Sequence, residues 1–240
     1  MSKNKTFLID LGNSNLEYYE LSEDASLVNQ KFIRTCELDQ TQLNSFFCNS
    51  RCIISSVVPN LNKMFYLIPN SEVLFIDSSN VPLLKINIDT PAELGSDRII
   101  TAYAAYQKYK QPCLIIDSGT ALPFCFVDST GVYQGGAIFP GLKISSQALN
   151  DYTAQIPLIY VEEVDALMGK NTKQAVEVGL FNGFRYLING FIAEYRMKYS
   201  DLKVIATGSA ISVLEPFLDA DEYEPQLIFI GLRDIFYDLS

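Results

Sequence analysis

The chain has 240 residues, of which 48% are apolar and 19% are charged, so it can bury one large core or two ordinary ones. Lys and Arg total 18 against 28 Asp and Glu, and a formal charge of −10 argues against nucleic acid or an anionic membrane as the main partner. The chain contains no histidine, which excludes Ser-His-Asp and Cys-His mechanisms.

The cysteines and the lengths of the apolar runs indicate which cellular compartment suits this protein. The 5 cysteines are scattered, and their odd number suits free thiols in a reducing compartment. Cys48 and Cys52 lie close in sequence, but no second pair and no histidine completes a structural zinc site. No apolar run reaches the roughly 18 residues that span a bilayer. The run at residues 7–10 is too short for a signal peptide, so we expect a cytoplasmic protein.

The first half of the sequence begins with strand patterns and then alternates strands with helices. Strands are predicted at residues 6–10 and 16–21 around a turn at 11–14, and again at 31–35, 52–58 and 73–76. Helices are predicted at 39–47, 60–67 and 92–108.

The second half restarts the same plan. A strand at 113–117, a turn at 118–120 and a strand at 121–127 lead through a polar hairpin turn at 128–131 into a strand at 132–138. Apolar spacing predicts a long helix over 172–198. The chain then ends in alternating strand and helix patterns at 203–206, 211–218, 227–230 and 232–237.

Two similar turns stand about half a chain apart. Residues 9–14 (IDLGNS) and 116–121 (IDSGTA) each join a strand to an Asp-x-Gly-polar turn that opens a hairpin. A duplicated β-rich unit would bring both turns to a shared cleft. The alternative is an ordinary strand-end turn that occurs twice.

These turns have the chemistry of a phosphate site. Glycine lets the backbone approach a ligand, successive N–H groups can face an anion, and the Asp can hold a hydrated cation. The sequence contains neither GxxxxGK[ST] nor GxGxxG. ATP, if bound, must therefore be bound through the two turns.

Three further segments have a functional and a structural interpretation. Residues 95–98 (GSDR) begin a helix, where Asp97 can accept a proton and Arg98 can bind an anion, or where the two form an ordinary surface pair. Residues 135–141 (GGAIFPG) are expected to pass from a strand through a loop into a helix, and their glycines permit close backbone approach, or form a bulge before a turn. Residues 206–210 (ATGSA), with Gly208, suit a nucleotide at a helix start, or form a plain turn.

Taken in order, these motifs resemble the type III pantothenate kinases over nearly the full chain. The ordered set is 10–14 (DLGNS), 56–59 (SVVP), 91–98 (PAELGSDR), 117–121 (DSGTA), 135–141, Asn171-Thr172 with Gly179 and Gly183, 207–208, and 227–232. Each motif alone is weakly specific, whereas the ordered set is strongly specific.

The resemblance implies an α/β protein with a duplicated ribonuclease-H-like (actin-like ATPase) fold. Mixed sheets flanked by helices would form two similar halves around a cleft, at residues 1–111 and 112–240, with ATP between them. It also implies phosphorylation of the terminal hydroxyl of pantothenate, the first step of coenzyme A biosynthesis, by a homodimer that uses ATP, magnesium and potassium or ammonium.

The resemblance also assigns roles residue by residue. Asp97 matches the general base within the pantothenate-binding segment Gly95, Ser96, Asp97 and Arg98, and Thr172 matches a substrate contact from the neighbouring subunit. ATP contacts match Asp10, Leu11, Gly12, Asn13, Ser14, Thr120 and Gly208. Asp10 also matches the magnesium position, and Asp117 the monovalent-cation site.

The helix at 172–198 is a candidate for the dimer contact. Its 27 positions make a rod of roughly 40 Å at about 1.5 Å per residue. Gly179 and Gly183 lie on one face, where another backbone could approach, and Phe184, Leu187, Phe191 and Ile192 are expected to extend an apolar surface. The alternative is a helix buried within a monomer.

The sequence departs from the family pattern at several positions: Glu17, Ile88, Leu122, Pro123, Cys125 and Ser209. Glu17, Leu122, Pro123 and Cys125 favour a second interpretation, a diverged relative that keeps the fold and the dimer but acts as a regulator or accessory protein. Asp10, Asp97, Arg98 and Asp117 oppose it. A third interpretation is a sugar or acetate kinase of the same superfold, because a fold does not select a substrate.

Overall fold

The computed structural model describes residues 5–239, and its backbone contacts divide the chain into two compact units. The first unit runs to Lys108 and includes the segment from Gln226 onward, and the second is Tyr109–Pro225. This boundary is near the one expected between residues 111 and 112, but the C-terminal segment groups with the first unit. The domain limits inferred from the sequence stay a prediction.

The first unit is built on a mixed sheet. Its strands are β1 (Lys5–Leu11), β2 (Asn15–Leu21), β3 (Leu27–Arg34), β4 (Ser50–Ser56) and β5 (Glu72–Phe75); the short β6 (Lys85–Ile86) follows in the chain and is not part of this sheet. The sheet order is β3-β2-β1-β4-β5. β1, β2 and β3 form an antiparallel meander, while β4 pairs with β1, and β5 with β4, in parallel.

Helices cover both faces of this sheet: α1 (Gln40–Phe47), α2 (Pro59–Phe65), α3 (Ser96–Tyr109) and, from the end of the chain, α6 (Leu227–Asp238). Side chains alternate along a strand, so Phe7, Ile9 and Leu11 share one face and pack in a core with Phe47 of α1 and Phe65 of α2. Asp10 therefore lies on the opposite face, the face of α3 and α6.

The second unit repeats the arrangement of the first. Its strands are β7 (Cys113–Asp117), β8 (Ala121–Val127), β9 (Val132–Pro140), β10 (Lys203–Thr207) and β11 (Glu222–Tyr223), in the order β11-β10-β7-β8-β9. β7, β8 and β9 form an antiparallel meander, and β10 and β11 add in parallel beside β7. The two sheets thus have the same strand order and directions, which confirms the predicted duplication.

The second unit also contains α4 (Leu142–Asp151) and the long α5 (Thr172–Lys198), which has the bounds that the apolar spacing predicts. Phe181, Ile188 and Ile192 of α5 are buried in the core of this unit, and the Phe191 ring stacks on Phe124 at 4.4 Å.

The apolar residues expected to form an extra surface on α5 have another role. Phe184, Leu187 and Phe191 are half-buried and pack against the core of their own unit, and Ile192 is buried within it. The expectation of a second apolar surface built by these residues was wrong. Their spacing places them on the core side of the helix, and that core extends across most of the helix length.

Three other expectations differ from the structure. Residues 227–230, predicted as a strand, are the start of α6, because Gly231 continues the helix and lets it approach Ile100. Residues 211–218 form two short 3-10 turns rather than a helix. The helix expected after residues 135–141 is α4, but its bounds were not predicted, since only Leu142 and Ser146 of it are buried and the apolar pattern is short. Among the described residues, no helix is long and apolar enough to cross a membrane.

Candidate functional site

The first Asp-x-Gly turn joins β1 to β2. The Gly12 N–H donates to the Asn15 carbonyl at 3.0 Å, which closes the loop of the hairpin. Thr35 holds the loop from outside: its hydroxyl donates to the Gly12 carbonyl at 2.7 Å, and its N–H donates to the Ser14 carbonyl at 3.0 Å. Asn13 and Ser14 are exposed. Thr35 gave no sequence signal, because it lies 23 residues away from Gly12.

Asp10 precedes this turn and pairs with two different neighbours. It is in register with Glu17 across the antiparallel hairpin and with Ser55 across the parallel pair β1–β4. Glu17 is half-buried and accepts a hydrogen bond from Gln30 at 2.7 Å. Burial raises the pKa of Glu17, and the Gln30 hydrogen bond opposes that shift. The departure from the family pattern at Glu17 therefore lies next to Asp10.

The segment 95–98 begins α3 and is hydrogen-bonded to the end of β4. The Ser96 hydroxyl accepts from the Ser56 N–H at 2.8 Å and donates to the Ser56 carbonyl at 3.0 Å. It also lies 3.1 Å from the Ser55 hydroxyl. Ser96 is 5% exposed and Ser55 is fully buried. The predicted substrate contact Ser96 thus has its hydroxyl in an internal network.

Asp97 follows in the first turn of α3. Its Oδ1 accepts from the Arg98 backbone N–H at 2.8 Å. A Cβ at Gly95 would lie 2.5 Å from that same Oδ1, so only glycine leaves room for the carboxylate in this position. Burial raises the pKa of Asp97 above its ordinary value, opposed by the Arg98 N–H and the Arg98 charge. A carboxylate with a raised pKa, placed next to a glycine at the start of a helix, is suited to accept a proton.

The second turn joins β7 to β8 and is surrounded by backbone. The Ser118 N–H donates to the Thr207 carbonyl at 2.9 Å, and the Ser118 carbonyl accepts from the Ala210 N–H at 2.8 Å. Gly208 has a φ of +91°, and a Cβ on it would lie 2.3 Å from Asp117 Oδ1. Gly208 and Asp117 therefore form one packed group at the ends of β10 and β7.

A second glycine packs on the loop from the other side. The Gly141 N–H donates to the Thr120 carbonyl at 3.1 Å, and a Cβ at Gly141 would lie 2.3 Å from the Gly119 carbonyl oxygen. At Gly136 a Cβ would lie 1.7 Å from the Phe124 carbonyl oxygen. Gly136 and Gly141 thus approach neighbouring backbone closely. The alternative, a bulge, is present as well: Gly135 has a φ of +95°, and the β8–β9 register shifts between the pairs Cys125–Gly136 and Val127–Tyr133.

Thr172 is the first residue of α5. The Asn171 side chain caps the helix by accepting from the Gln174 N–H at 2.9 Å. Thr172 is exposed and lines a wide cavity of about 570 Å³, whose walls are Leu149, Ile156, Gly169, Lys170, Asn171, Ala175, Val176, Gly179 and Leu180.

Three of the departures lie in the interior. Leu122, Pro123 and Cys125 belong to β8 and are buried, and Leu122 is part of the core packed against α5. Their side chains therefore fill the core, and these three departures add no exposed group to the protein surface. Ile88 is half-buried and Ser209 is exposed.

The donors at both strand ends fit hard cations. Asp10 offers a half-buried carboxylate, and magnesium typically uses one or two carboxylates together with substrate phosphates. The Asp117 carboxylate and the Ser118 carbonyl oxygen both lie close to Gly208, and oxygen donors of these two kinds suit a potassium ion. Within residues 5–239, the Ser118 hydroxyl is a buried oxygen without a hydrogen-bond partner, and such a group needs a water or an ion to satisfy it.

Comparisons with known proteins agree with the motif order. A family model described as type III pantothenate kinase matches residues 6–194. A type III pantothenate kinase of Listeria monocytogenes (serotype 4a) is 36% identical to this chain in an alignment of 239 positions. The alignment covers 88% of this chain and 92% of that relative.

Two crystal structures illustrate the fold. A Campylobacter jejuni protein named as a conserved transcriptional activator of the Baf family has a TM-score of 0.67 at 23% identity and covers 97% of this chain and 98% of its own. MreB5 of Spiroplasma citri, solved with AMPPNP, has a TM-score of 0.55 at 11% identity and covers 100% of this chain and 98% of its own. With the duplicated sheets, these similarities establish the actin-like ATPase fold.

Proposed function

We propose that Asp97 is the base of the reaction that this chain catalyses. The chain belongs to the type III pantothenate kinase family and phosphorylates pantothenate with ATP, which is the first step of coenzyme A biosynthesis. The observation that supports this role is the Asp97 carboxylate lodged over Gly95 at the start of α3, with a pKa raised by burial. A raised pKa brings a carboxylate closer to the pH at which it can accept a proton.

In the proposed reaction, the terminal hydroxyl oxygen of pantothenate forms a bond to the γ-phosphorus of ATP. The bond from that phosphorus to the β,γ-bridging oxygen breaks, and ADP leaves. The hydroxyl proton passes to the Asp97 carboxylate. Phosphoryl transfer depends mainly on positioning and on stabilising charge, so one placed carboxylate suffices as the base. Gly95, the backbone of Ser96 and Arg98 complete the proposed pantothenate-binding segment, and Arg98 supplies a cation for the pantothenate carboxylate.

We propose that the first turn binds phosphate. Asn13 and Ser14 are exposed beside Gly12, and together with Leu11 they form the turn whose N–H groups can face an anion. Asp10 would hold magnesium, which neutralises phosphate charge when bound. In the second unit, Thr120 and Gly208 are the proposed ATP contacts.

We also propose a monovalent cation at Asp117. The oxygen donors around this residue and the unpartnered buried Ser118 hydroxyl support the proposal. A cation there would offset the cost of holding the Asp117 carboxylate at the end of an apolar strand. This site would account for the potassium or ammonium requirement that the family resemblance implies.

A homodimer is the proposed assembly, with α5 as its contact. Small and apolar residues form an exposed stripe at helical spacing along α5: Gly179, Gly183, Tyr186, Gly190, Ala193 and Met197. No described atom lies within 4 Å of a Cβ built at any of these glycines, apart from the neighbouring helix backbone. Thr172 continues the stripe at the helix start, which supports its assignment as a contact to the partner's substrate.

The cytoplasm is the proposed compartment, because Cys36 and Cys48 are free, exposed thiols.

The test is ADP release with ATP and magnesium, measured with and without pantothenate. Pantothenate should stimulate release, and Asp97→Asn should lower that turnover by roughly 10²–10⁴-fold while the variant stays folded. Pantothenate-independent release in the wild type would contradict the activity. Stimulated release that survives in Asp97→Asn would contradict the role of Asp97 alone.

A further inference from the structure

The Ser96 hydroxyl makes three hydrogen bonds at the end of β4. A hydroxyl has one proton and two lone pairs. If Ser96 donates to the Ser56 carbonyl, it can accept from both the Ser56 N–H and the Ser55 hydroxyl, which matches the distances of 3.0, 2.8 and 3.1 Å. Every hydrogen-bonding position of this one oxygen is then used.

The position of this hydroxyl in the sheet explains why it is needed. β5 pairs with β4 as far as Ile54, whose carbonyl accepts from the Ile76 N–H at 2.8 Å. Because strand backbone groups alternate in direction, Ser56 directs its N–H and carbonyl to the same side as Ile54, beyond the end of β5. The Ser96 hydroxyl occupies that place and satisfies both groups.

The same contact connects the two carboxylates assigned to the reaction. Asp10 of β1 is in register with Ser55 of β4, so the two side chains share a sheet face about 4.8 Å apart along the hydrogen-bonding direction. Ser55 is bonded to Ser96, which directly precedes Asp97. A chain of neighbouring groups thus runs from Asp10 through Ser55 and Ser96 to Asp97.

We propose that Ser96 is a positioning residue of the kinase reaction: its hydroxyl fixes the start of α3 to the end of β4 and thereby sets the place of the Asp97 carboxylate. This rests on the function proposed above and replaces the expectation that Ser96 binds substrate through its side chain. The hydroxyl has its hydrogen bonds inside the protein, so it acts through Asp97.

Ser96→Ala would leave the Ser56 N–H and carbonyl and the Ser55 hydroxyl without this partner. The start of α3 would then lose its attachment, and a shift of about 1 Å at a reacting group can reduce the rate about 10²-fold. We expect kcat to fall by about 10- to 100-fold, with the KM for ATP within about twofold of wild type.

Ser50→Ala is the matched control. Ser50 is the same residue type on the same strand, is 1% exposed, and donates its hydroxyl to the Phe47 carbonyl. It begins β4, whereas Ser56 ends it, so the two positions are about 20 Å apart at roughly 3.3 Å per residue. Both variants should lose thermal stability, but only Ser96→Ala should lose kcat.

A double-mutant cycle tests the network itself. Ser55→Ala removes one of the three hydrogen bonds and should lower kcat less than Ser96→Ala does. The double variant should be no slower than Ser96→Ala, because the Ser55 contribution passes through Ser96. Additive losses would overturn the proposed connection. If Ser96→Ala does not fold, Ser55→Ala against Ser50→Ala still decides the question.

Amide hydrogen exchange gives a readout that does not depend on activity. In Ser96→Ala the amides of Ser56 and of residues 97–99 should exchange faster than in Ser50→Ala. Unchanged exchange, or a wild-type kcat, would overturn the inference. If the wild type shows no pantothenate-dependent ADP release, the proposed function fails instead, and the exchange result alone decides whether Ser96 attaches α3 to β4.

Discussion

Replacing Gly208 by alanine tests whether the second turn is a close-packed group. Gly208 has a φ of +91°, and a Cβ there would lie 2.3 Å from Asp117 Oδ1, 2.6 Å from the Ser118 carbonyl oxygen and 2.7 Å from the Ser118 nitrogen. The Ser118 backbone cannot retreat cheaply, because its N–H and carbonyl are bonded to Thr207 and Ala210. The clash must therefore displace the Asp117 carboxylate and the loop.

The expected loss combines two costs. Positive φ costs a residue with a Cβ about 1–2 kcal/mol, and overpacking a filled site costs about 1–3 kcal/mol. Gly208→Ala should thus lower the free energy of unfolding by about 2–5 kcal/mol, a large share of the 5–15 kcal/mol typical of a folded protein. Because Asp117 moves, the potassium dependence of activity should weaken in any protein that stays folded.

Urea unfolding followed by circular dichroism is the assay, with Gly119→Ala as the control. Gly119 lies in the same turn, its φ is not positive, and a Cβ there would meet only the Ala121 carbonyl oxygen, at 4.0 Å. The control should therefore keep the stability of the wild type. A Gly208→Ala protein as stable as wild type would refute the proposed packing of Gly208 against Asp117.

Three further predictions follow from the site and the helix. Burial raises the pKa of Asp97 above 3.8, so ionisation of this carboxyl favours the unfolded state near neutral pH. Asp97→Asn should therefore be more stable than wild type at pH 7, and urea titrations should show this gain shrinking as the pH falls toward 3.8. A variant less stable than wild type at pH 7 would contradict this. Asp117→Ala should lose the activation by potassium over sodium, whereas a retained preference in ADP-release assays would remove Asp117 from the cation site. Gly183→Glu should yield monomers in light scattering while Lys198→Glu, outside the exposed stripe, stays dimeric; a wild-type monomer would end the dimer proposal.

Where the sequence pattern was long or strongly periodic, it predicted the structure. The bounds of α5 follow from apolar residues repeated over 27 positions, and the β1–β2 hairpin follows from strand patterns on either side of Gly12. The short α4 buries only Leu142 and Ser146, so its pattern was too weak to give its bounds. The apolar residues 227–230 resembled a strand because a helix packed on a sheet also presents a continuous apolar run.

The site was predictable in its residue types but not in its hydrogen bonds. Asp10, Asp97 and Asp117 stand at strand or helix ends, where the motifs placed them. The bond from Ser96 to Ser55 joins positions 41 residues apart, and Thr35 holds the first turn across 23 residues. Contacts of this kind depend on which strand ends meet, and that follows from the sheet order rather than from any local pattern.

The two Asp-x-Gly turns also show that a sequence motif can predict the strands around a turn without predicting the contacts that hold the turn. Both follow the first strand of a repeated sheet, yet each turn is fixed by residues outside the repeated motif. A Cβ at Gly12 would meet only the Asn15 carbonyl oxygen, at 3.2 Å, and this turn is held by the Thr35 hydroxyl from one side. The second turn is enclosed by Gly208 and by Gly141, neither of which has room for a Cβ. The first turn therefore keeps an exposed side at Asn13 and Ser14, whereas the second is enclosed around the Asp117 carboxylate. The enclosing residues differ between the two halves although the halves share a sheet order, so the sequence pattern that predicts the strands does not predict how each turn is held.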